Sequence, residues 1–327
     1  MLTPTFALTI GDIQATTARP VGGPTRFVVE RDMDIPADAL RLQLMQRTGV
    51  RLNDPVRLEL GADSGQPART TTVFTGSVVA LRPTLYGTEV HALGSLHALL
   101  NHYLVRTFQT QTVGAIVRTL VTDAGLQPGT IENGPTLPRY AIDRRLNVFA
   151  HIKALAERLG HELYADVQGR VRLHTPLTTA AATTYTAGTN LLAAVGQQHL
   201  AAWSAVAVGG ESPMSARGER TAYWLTIDSV GSQGMAGRGT PHLLVLDPTA
   251  RTRDLAQQFA RGYLQRTQRQ AYQLQLTVAG SAALELGDLV IVRNAADDLL
   301  NGRGYIRAIQ HTFSASVGFV TRLRLAL

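Results

Sequence analysis

The stretch YAIDRRLNVFAHIKALAERLG, Tyr140–Gly160, followed by HELYADVQGRVRLH, His161–His174, changes its hydrophobic period in mid-course. Val148, Ile152, Leu155, Ala156 and Leu159 recur at the spacing of one helical face, which predicts a helix from about Leu146 to Leu159. Gly160 stops it, because glycine takes the left-handed backbone that ends a helix without a Cβ clash. From His161 the pattern alternates polar with apolar. Gln168-Gly169 divides His161–Val167 from Arg170–His174, so a β-hairpin follows the helix directly.

Upstream, Thr112–Ala124 reads as a second helix, with Val113, Ile116, Val117, Leu120 and Val121 on one stripe and Gly125 beyond its end; Ser95–Asn101 reads as a short one. The first ninety residues carry a different signal. Phe27–Val29, Val56–Leu60, Val73–Leu81 and Glu89–Leu93 are short apolar or alternating runs bounded by Gly, Pro, Asn and Asp, the pattern of an antiparallel sandwich or barrel. Downstream, Pro176–Asn190 is Thr- and Ala-rich and reads as a crossing segment. Trp203–Val208 and Tyr223–Ile227 read as strands, and Gly231–Pro241, with four glycines, as a flexible loop. Ala250–Gln268 sets Leu255, Phe259, Tyr263 and Leu264 against a side bearing arginines, an amphipathic helix packed on a sheet. Tyr272–Val278, Asp288–Arg293, Gly304–Phe313 and Phe319–Leu327 close the chain as strands. The expectation is a β-rich α+β chain in three parts: a first barrel over 1–94, a helix-and-hairpin insert over 95–175, and a second barrel over 176–327 carrying the helix at 250–268.

With 45% hydrophobic and 17% charged residues, the chain can bury a core and is not a disordered polyelectrolyte. Cysteine is absent, which excludes disulfides, thiolate metal sites and a cysteine nucleophile. No apolar run reaches the roughly 20 residues that span a bilayer, and the first ten residues lack a signal-peptide order. The net charge of +7 is almost all arginine, Lys153 being the sole lysine; the densest group is Arg251, Arg253, Arg261, Arg266 and Arg269, without the aromatic interleaving of a nucleic-acid platform.

Catalytic motifs are not assembled in the sequence. His97 and His102 lie five apart and share no helical face well, while His151 and His311 fall within a helix and a strand, where packed or surface histidines are usual. Gly231-Ser232-Gln233-Gly234 lacks nucleophile-elbow spacing, and the lysine of a phosphate loop is missing. Paired carboxylates for cell-wall cleavage are available in principle at Glu157, Glu162 and Asp166, but their expected state is solvated surface. No catalytic, cofactor-binding or metal-ligating residue is assigned.

Tyr140–Gly160, with its Leu155-Ala156-Glu157-Arg158-Leu159-Gly160 ending and the Asp166–Gly169 turn after it, resembles the late control gene D proteins of phage tails and the hub portion of VgrG-type spikes. Arg106–Leu126, with Thr112-Val113-Gly114-Ala115-Ile116 opening its helix, is similar to the same family. So are Leu286–Val292, Gly304–Phe313 and Val320–Leu323. The resemblance implies a structural baseplate hub of a contractile tail or injection machine. In such a hub, three chains with two tube-like barrels each make a pseudo-sixfold ring between tail tube and spike. It implies a separate spike protein, since the sequence ends at Leu327 after the last hub strand. It also implies a tube protein or tube-initiator ring, baseplate wedge and tape-measure partners, and a place in the virion tail or injection particle assembled in the bacterial cytoplasm. It implies no cofactor, specific nucleic acid or membrane insertion. A tail-associated peptidoglycan hydrolase is the alternative expectation, and an arginine-lined nucleic-acid binder a third.

Overall fold

The computed structural model describes residues 3–46, 49–63, 70–176, 182–210, 233–314 and 316–326. Alternation of inward apolar and outward polar residues makes most of its strands. The N-terminal set is β1 (Thr3–Ile10), β2 (Ile13–Thr16), β3 (Pro24–Asp32), β4 (Ala39–Leu44), β5 (Pro55–Asp63), β6 (Thr70–Thr84) and β7 (Gly87–Leu93). The middle holds α1 (His97–Leu100), β8 (Arg106–Thr112), α2 (Val113–Asp123), β9 (Pro128–Ile131), β10 (Thr136–Ile142), α3 (Val148–Leu159), β11 (Glu162–Ala165) and β12 (Val171–His174). Then come β13 (Ala182–Thr186), β14 (Leu191–Gln198), β15 (Ala205–Gly210), β16 (Gln233–Gly237), β17 (His242–Asp247), α4 (Arg253–Gln270), β18 (Tyr272–Ala279), β19 (Leu289–Arg293), β20 (Gly302–Ser314) and β21 (Gly318–Ala326).

Thirteen of these strands share one sheet, with the path β14-β18-β21-β20-β3-β4-β7-β6-β5-β1-β2 and β13 and β19 branching from β20. The pairing of β20 with β3, in register Gln310↔Glu30 and Phe313↔Phe27, joins the two ends of the sequence. One apolar cluster lies under β1 to β7 and takes in Phe319 and Phe313 from the C-terminal hairpin; the Phe6, Phe27 and Phe313 rings stand 5.0–5.6 Å apart. A second lies under β18 to β21 and includes Leu274, Val290, Ile306 and Leu325. A third joins α2, α3 and α4 with β15 and β16, through Ile116, Leu155, Val206 and Phe259 among others.

Each longer helix begins where a side chain caps it. Thr112 accepts from Ala115 N–H (3.2 Å), Asn147 from Ala150 N–H (2.9 Å) and Thr252 from Leu255 N–H (3.2 Å). α3 ends on Gly160 at φ 65°, as its sequence predicts.

Several expectations change. The Gly-rich 231–241 segment is not simply a loop: Gln233–Gly237 pairs antiparallel with β15, and Gly234 is there because α4 crosses so closely that a Cβ would lie 2.2 Å from the Ala256 carbonyl carbon. Ser232 and Tyr223–Ile227 lie outside the described residues. Within the crossing segment, Ala182–Thr186 is a strand parallel to β19, because its backbone completes the edge of a paired sheet despite few large side chains. The antiparallel expectation holds for the main path, while β9–β12, β13–β19 and β15–β17 are parallel. The apolar side of α4 packs against a sheet as its spacing predicts, the one formed by β15, β16 and β17, and with α3 on it as well it belongs to the third cluster.

Gly262 is where α4 meets α3: a Cβ would sit 2.2 Å from the Arg158 carbonyl oxygen. Gly262→Ala is therefore expected to lose about 1–3 kcal/mol by overpacking, even though alanine is the better helix former. Gly49→Ala, where nothing lies within 4 Å, is expected to change stability by less than about 0.5 kcal/mol. Urea denaturation of both variants checks the pair.

Candidate functional site

The alternation that buries Phe27 and Val29 on β3 also sends Arg31 inward, leaving it 1% exposed. A guanidinium so placed must have its donors met. Its Nε donates to Asp38 Oδ2 (3.1 Å), its Nη1 to Glu285 Oε2 (3.0 Å) and its Nη2 to the Ala165 carbonyl (3.1 Å). One side chain thus ties the β3–β4 connection, the approach to β19 and the end of β11 together.

The same connection is gripped from other sides. Arg307 on β20 donates to Asp34 Oδ1 (2.7 Å) and to Glu162 Oε1 (2.5 Å), and Glu162 also accepts from the Tyr305 hydroxyl (2.8 Å). Arg324 donates to Asp32 (2.6 Å) and Asp34 (2.7 Å), and Lys153 Nζ to the Met33 carbonyl (3.1 Å). Arg269 of α4 reaches the Gly160 carbonyl (2.7 Å) and Glu162 (3.4 Å). The result is an ionic joint of interleaved cations and carboxylates that links the β3–β4 connection, the middle hairpin and the strands β20 and β21.

Electrostatics follow the geometry. Burial pushes the Asp38 carboxyl up to about 6 against the pull of Arg31, and burial raises Glu285 in the same way. Burial also opposes ionisation of Asp34, but Arg307 and Arg324 hold its carboxyl below the ordinary range. For Arg307, burial disfavours the charge, yet Glu162, Tyr305 and Asp34 hold it above the ordinary guanidinium value. The charged groups of the joint are paired with one another, Asp34 and Glu285 at its partly exposed rim.

The carboxylates expected on solvated faces divide. Glu157 pairs with Arg266 and is half-buried. Glu162 and Asp166 are only 6% and 5% exposed, which corrects the solvated reading: alternation in a hairpin covered on both faces turns them inward, where arginines neutralise them. Asp166 accepts from Arg170 Nε (2.8 Å), Arg172 Nη2 (3.0 Å) and the backbone N–H of Gln168 and Arg170 (3.1 and 3.0 Å). Burial works against its charge, but those donors keep its carboxyl below the ordinary value, the opposite of what a general acid needs. The three carboxylates are thus held in separate ion pairs, and no acid–base pair facing a cleft is formed by them.

His97 Nε2 lies 3.3 Å from Asn101 Nδ2, whereas the His102 carbonyl accepts from Val148 N–H (2.9 Å). No group of three His, Asp or Glu able to hold a metal occurs among the described residues. His151 is buried with Nε2 3.3 Å from the Asp143 carbonyl, and His311 is buried with Nδ1 3.0 Å from the Thr321 hydroxyl. Of the α4-region arginines, Arg266 and Arg269 are committed to Glu157 and Glu162, Arg251 donates to the Pro248 carbonyl (3.3 Å), and Arg253 and Arg261 are exposed. Sequence reading missed Arg31 and Arg307; the signal was present, since Arg31 is in phase with Phe27 and Val29.

Glu162→Gln would leave Arg307 and Arg269 short of a charged partner in a buried site, with an expected loss of about 3–5 kcal/mol. Glu157→Gln, at the rim, should cost less than about 1 kcal/mol. Guanidinium denaturation of the two variants separates them. A pH dependence also follows. Burial, with Arg31 adding to it, pushes His311 down from 6.5 to about 3. The unfolded chain then takes up a proton that the folded one refuses, so this contribution is full above pH 6.5 and is lost as pH falls toward 3. Asp38 acts in the opposite sense: raised from 3.8 to about 6, it makes the folded state weaken as pH climbs through that window. His311→Gln should therefore flatten or reverse the rise in stability between pH 4 and 6.5, and Asp38→Asn should steepen it, both read from urea midpoints across that range.

No family model matches the sequence, and no curated protein is significantly similar to it. Solved structures are similar in fold. A tail protein from Neisseria meningitidis MC58 superposes with a TM-score of 0.75 at 14% identity, over 99% of this chain and 97% of that one. The 43 kDa tail protein of prophage MuSo2 from Shewanella oneidensis gives 0.71 at 16% identity, over 98% of each. The E. coli c3393 protein, a type VI secretion component described as structurally similar to the T4 tail proteins gp27 and gp5, gives 0.61 at 10% identity, over 98% of this chain and 76% of that one. The β-rich fold of this chain is, over nearly its whole length, one that phage tail proteins and a type VI secretion component share.

Proposed function

We propose that the chain is a non-enzymatic baseplate hub of a contractile phage tail or phage-like injection system, a homotrimeric ring that adapts the tail tube to the spike. The observation that carries this reading is the whole-length likeness of the fold to two tail proteins, which match this chain over 97–99% of each sequence. In this reading residues 1–94 and 176–327 each supply a tube-like barrel and 95–175 an insert, so three chains offer six comparable units to a sixfold tube and a threefold face to the spike. Two separate apolar clusters under one continuous sheet favour that division. The other face of the sheet is mixed and polar. Arg26, Glu30, Arg41, Gln310 and Arg322 line a groove of about 530 Å³ on it, and we assign this face to the channel wall. A spike, a tube or tube-initiator protein, wedge and tape-measure proteins are the partners this role requires.

The test is the oligomeric state. Size-exclusion chromatography with light scattering should give a mass of three 35.2 kDa chains at micromolar concentration, and particles seen by negative stain should be rings with a central opening. Monomer alone across that range would overturn the hub reading.

A further inference from the structure

The register of the main sheet brings four connections to one of its ends. Thr88 pairs with Leu44, Leu44 with Pro24, Arg26 with Ser314, and Ser314 with Gly318. The turn before β3, the end of β4, the β6–β7 tip and the β20–β21 tip therefore lie together. Hydrogen bonds from Met45 N–H to the Gly23 carbonyl (3.0 Å) and from Gln46 N–H to the Gly22 carbonyl (3.2 Å) lock two of them, and Thr84 and Val317 line one groove with Arg26. The arginine joint and the helical insert occupy the opposite end, where Gly94 N–H bonds the Asp38 carbonyl (2.8 Å).

Every one of these connections presents an apolar side chain to solvent: Val21, Met45, Leu85, Tyr86 and Val317, with Leu85 87% and Tyr86 74% exposed. Turn tips are ordinarily polar, and a gathered apolar patch on a soluble surface marks an interaction site. Its surroundings are basic. Arg19, Arg26 and Arg82 flank it, and residues 17–24, 44–46, 83–88 and 316–318 contain no acidic side chain. Arg82 lies 3.7 Å from Glu89, whereas no carboxylate among the described residues pairs with Arg19 or Arg26.

We propose that this end of the sheet is an axial docking face for a different ring-forming protein, one whose end carries apolar side chains inside an acidic rim. Charge decides against a second copy of this chain, since end-to-end self-docking would set arginine against arginine. Size favours a ring: five side chains are few for the roughly 800 Å² per partner of a standard interface, whereas three such patches side by side would engage a ring-shaped partner together. The inference thus rests on the trimer reading and adds to it which end docks and by what chemistry.

The experiment places a benzophenone photocrosslinking amino acid at Tyr86, and as a control at exposed Leu146 before α3, in particles purified from the producing bacterium. Expected is a crosslink from position 86 to one non-self polypeptide, through an apolar segment flanked by Asp or Glu and not shared by position 146. The yield should fall about tenfold in an Arg19→Glu/Arg26→Glu background. A crosslink between copies of this chain, a lipid adduct, no product, or a yield indifferent to the charge reversal overturns the proposal. Light scattering on the same purified variants keeps the two ideas apart: a trimer without the crosslink sinks the docking face alone, whereas a monomer sinks the ring reading. Because all altered side chains are exposed, unchanged thermal melting is required of each variant, and the Leu85→Ser/Tyr86→Ser pair, which should also lose the assembly, supplies a second route free of charge reversal.

Discussion

A guanidinium withdrawn from water has to find acceptors for its donors, and in this chain the nearest ones to Arg31 belong to three distant stretches of sequence. Asp38, Glu285 and the Ala165 carbonyl can meet it only when the N-terminal strands, the middle hairpin and the C-terminal strands are all in place. Replacing such a group by a hydrocarbon of equal volume is often no worse for stability; what the ionic version adds is uniqueness of arrangement. A leucine at that position would accept many dockings of the hairpin, whereas the planar fork accepts one. The neighbouring grip of Arg307 and Arg324 on residues 32–34 repeats the device from β20 and β21.

That joint explains why a chain with three apolar clusters behaves as one sheet-bearing unit. The β20–β3 ladder supplies the continuity, and the ionic joint fixes the angle at which the hairpin and helices sit against its end. In the hub role proposed above, a fixed angle of this kind would let the chain carry axial load between stacked rings. Buried ion pairs do this more sharply than apolar contact, which permits sliding.

Strands and helices with strong periodicity were legible in the sequence. β3, β5, β6, β7, α2, α3, α4 and the four closing strands follow from apolar spacing and turn residues alone. β1 and β4 were passed over: β4, Ala39–Leu44, alternates as cleanly as any strand but lies between weak turn signals. The Gly-rich segment misled because glycine has two uses. It permits unusual backbone angles, and it also permits close approach, and only the position of α4 shows that Gly234 serves the second. In the site, Glu162 and Asp166 were visible as carboxylates, but their burial depends on arginines more than a hundred residues away in one case and four to six away in the other. The remote partner could not be found by spacing; the local one could.

The antiparallel union of β20 with β3 sets a timetable for synthesis. Phe313 and Phe319 complete the cluster beneath β1 to β7, so on the ribosome that cluster waits for nearly the whole polypeptide, with the outer side of β3 lacking its neighbour throughout. A nascent chain in that state displays an unsatisfied ladder and part of an aromatic core for the tens of seconds that translation takes at about 5–20 residues per second. Long-range closure of this sort makes folding slow. Yield in the cell is consequently governed by how well that waiting edge is shielded from other nascent chains, a demand on chaperones that the finished protein no longer shows.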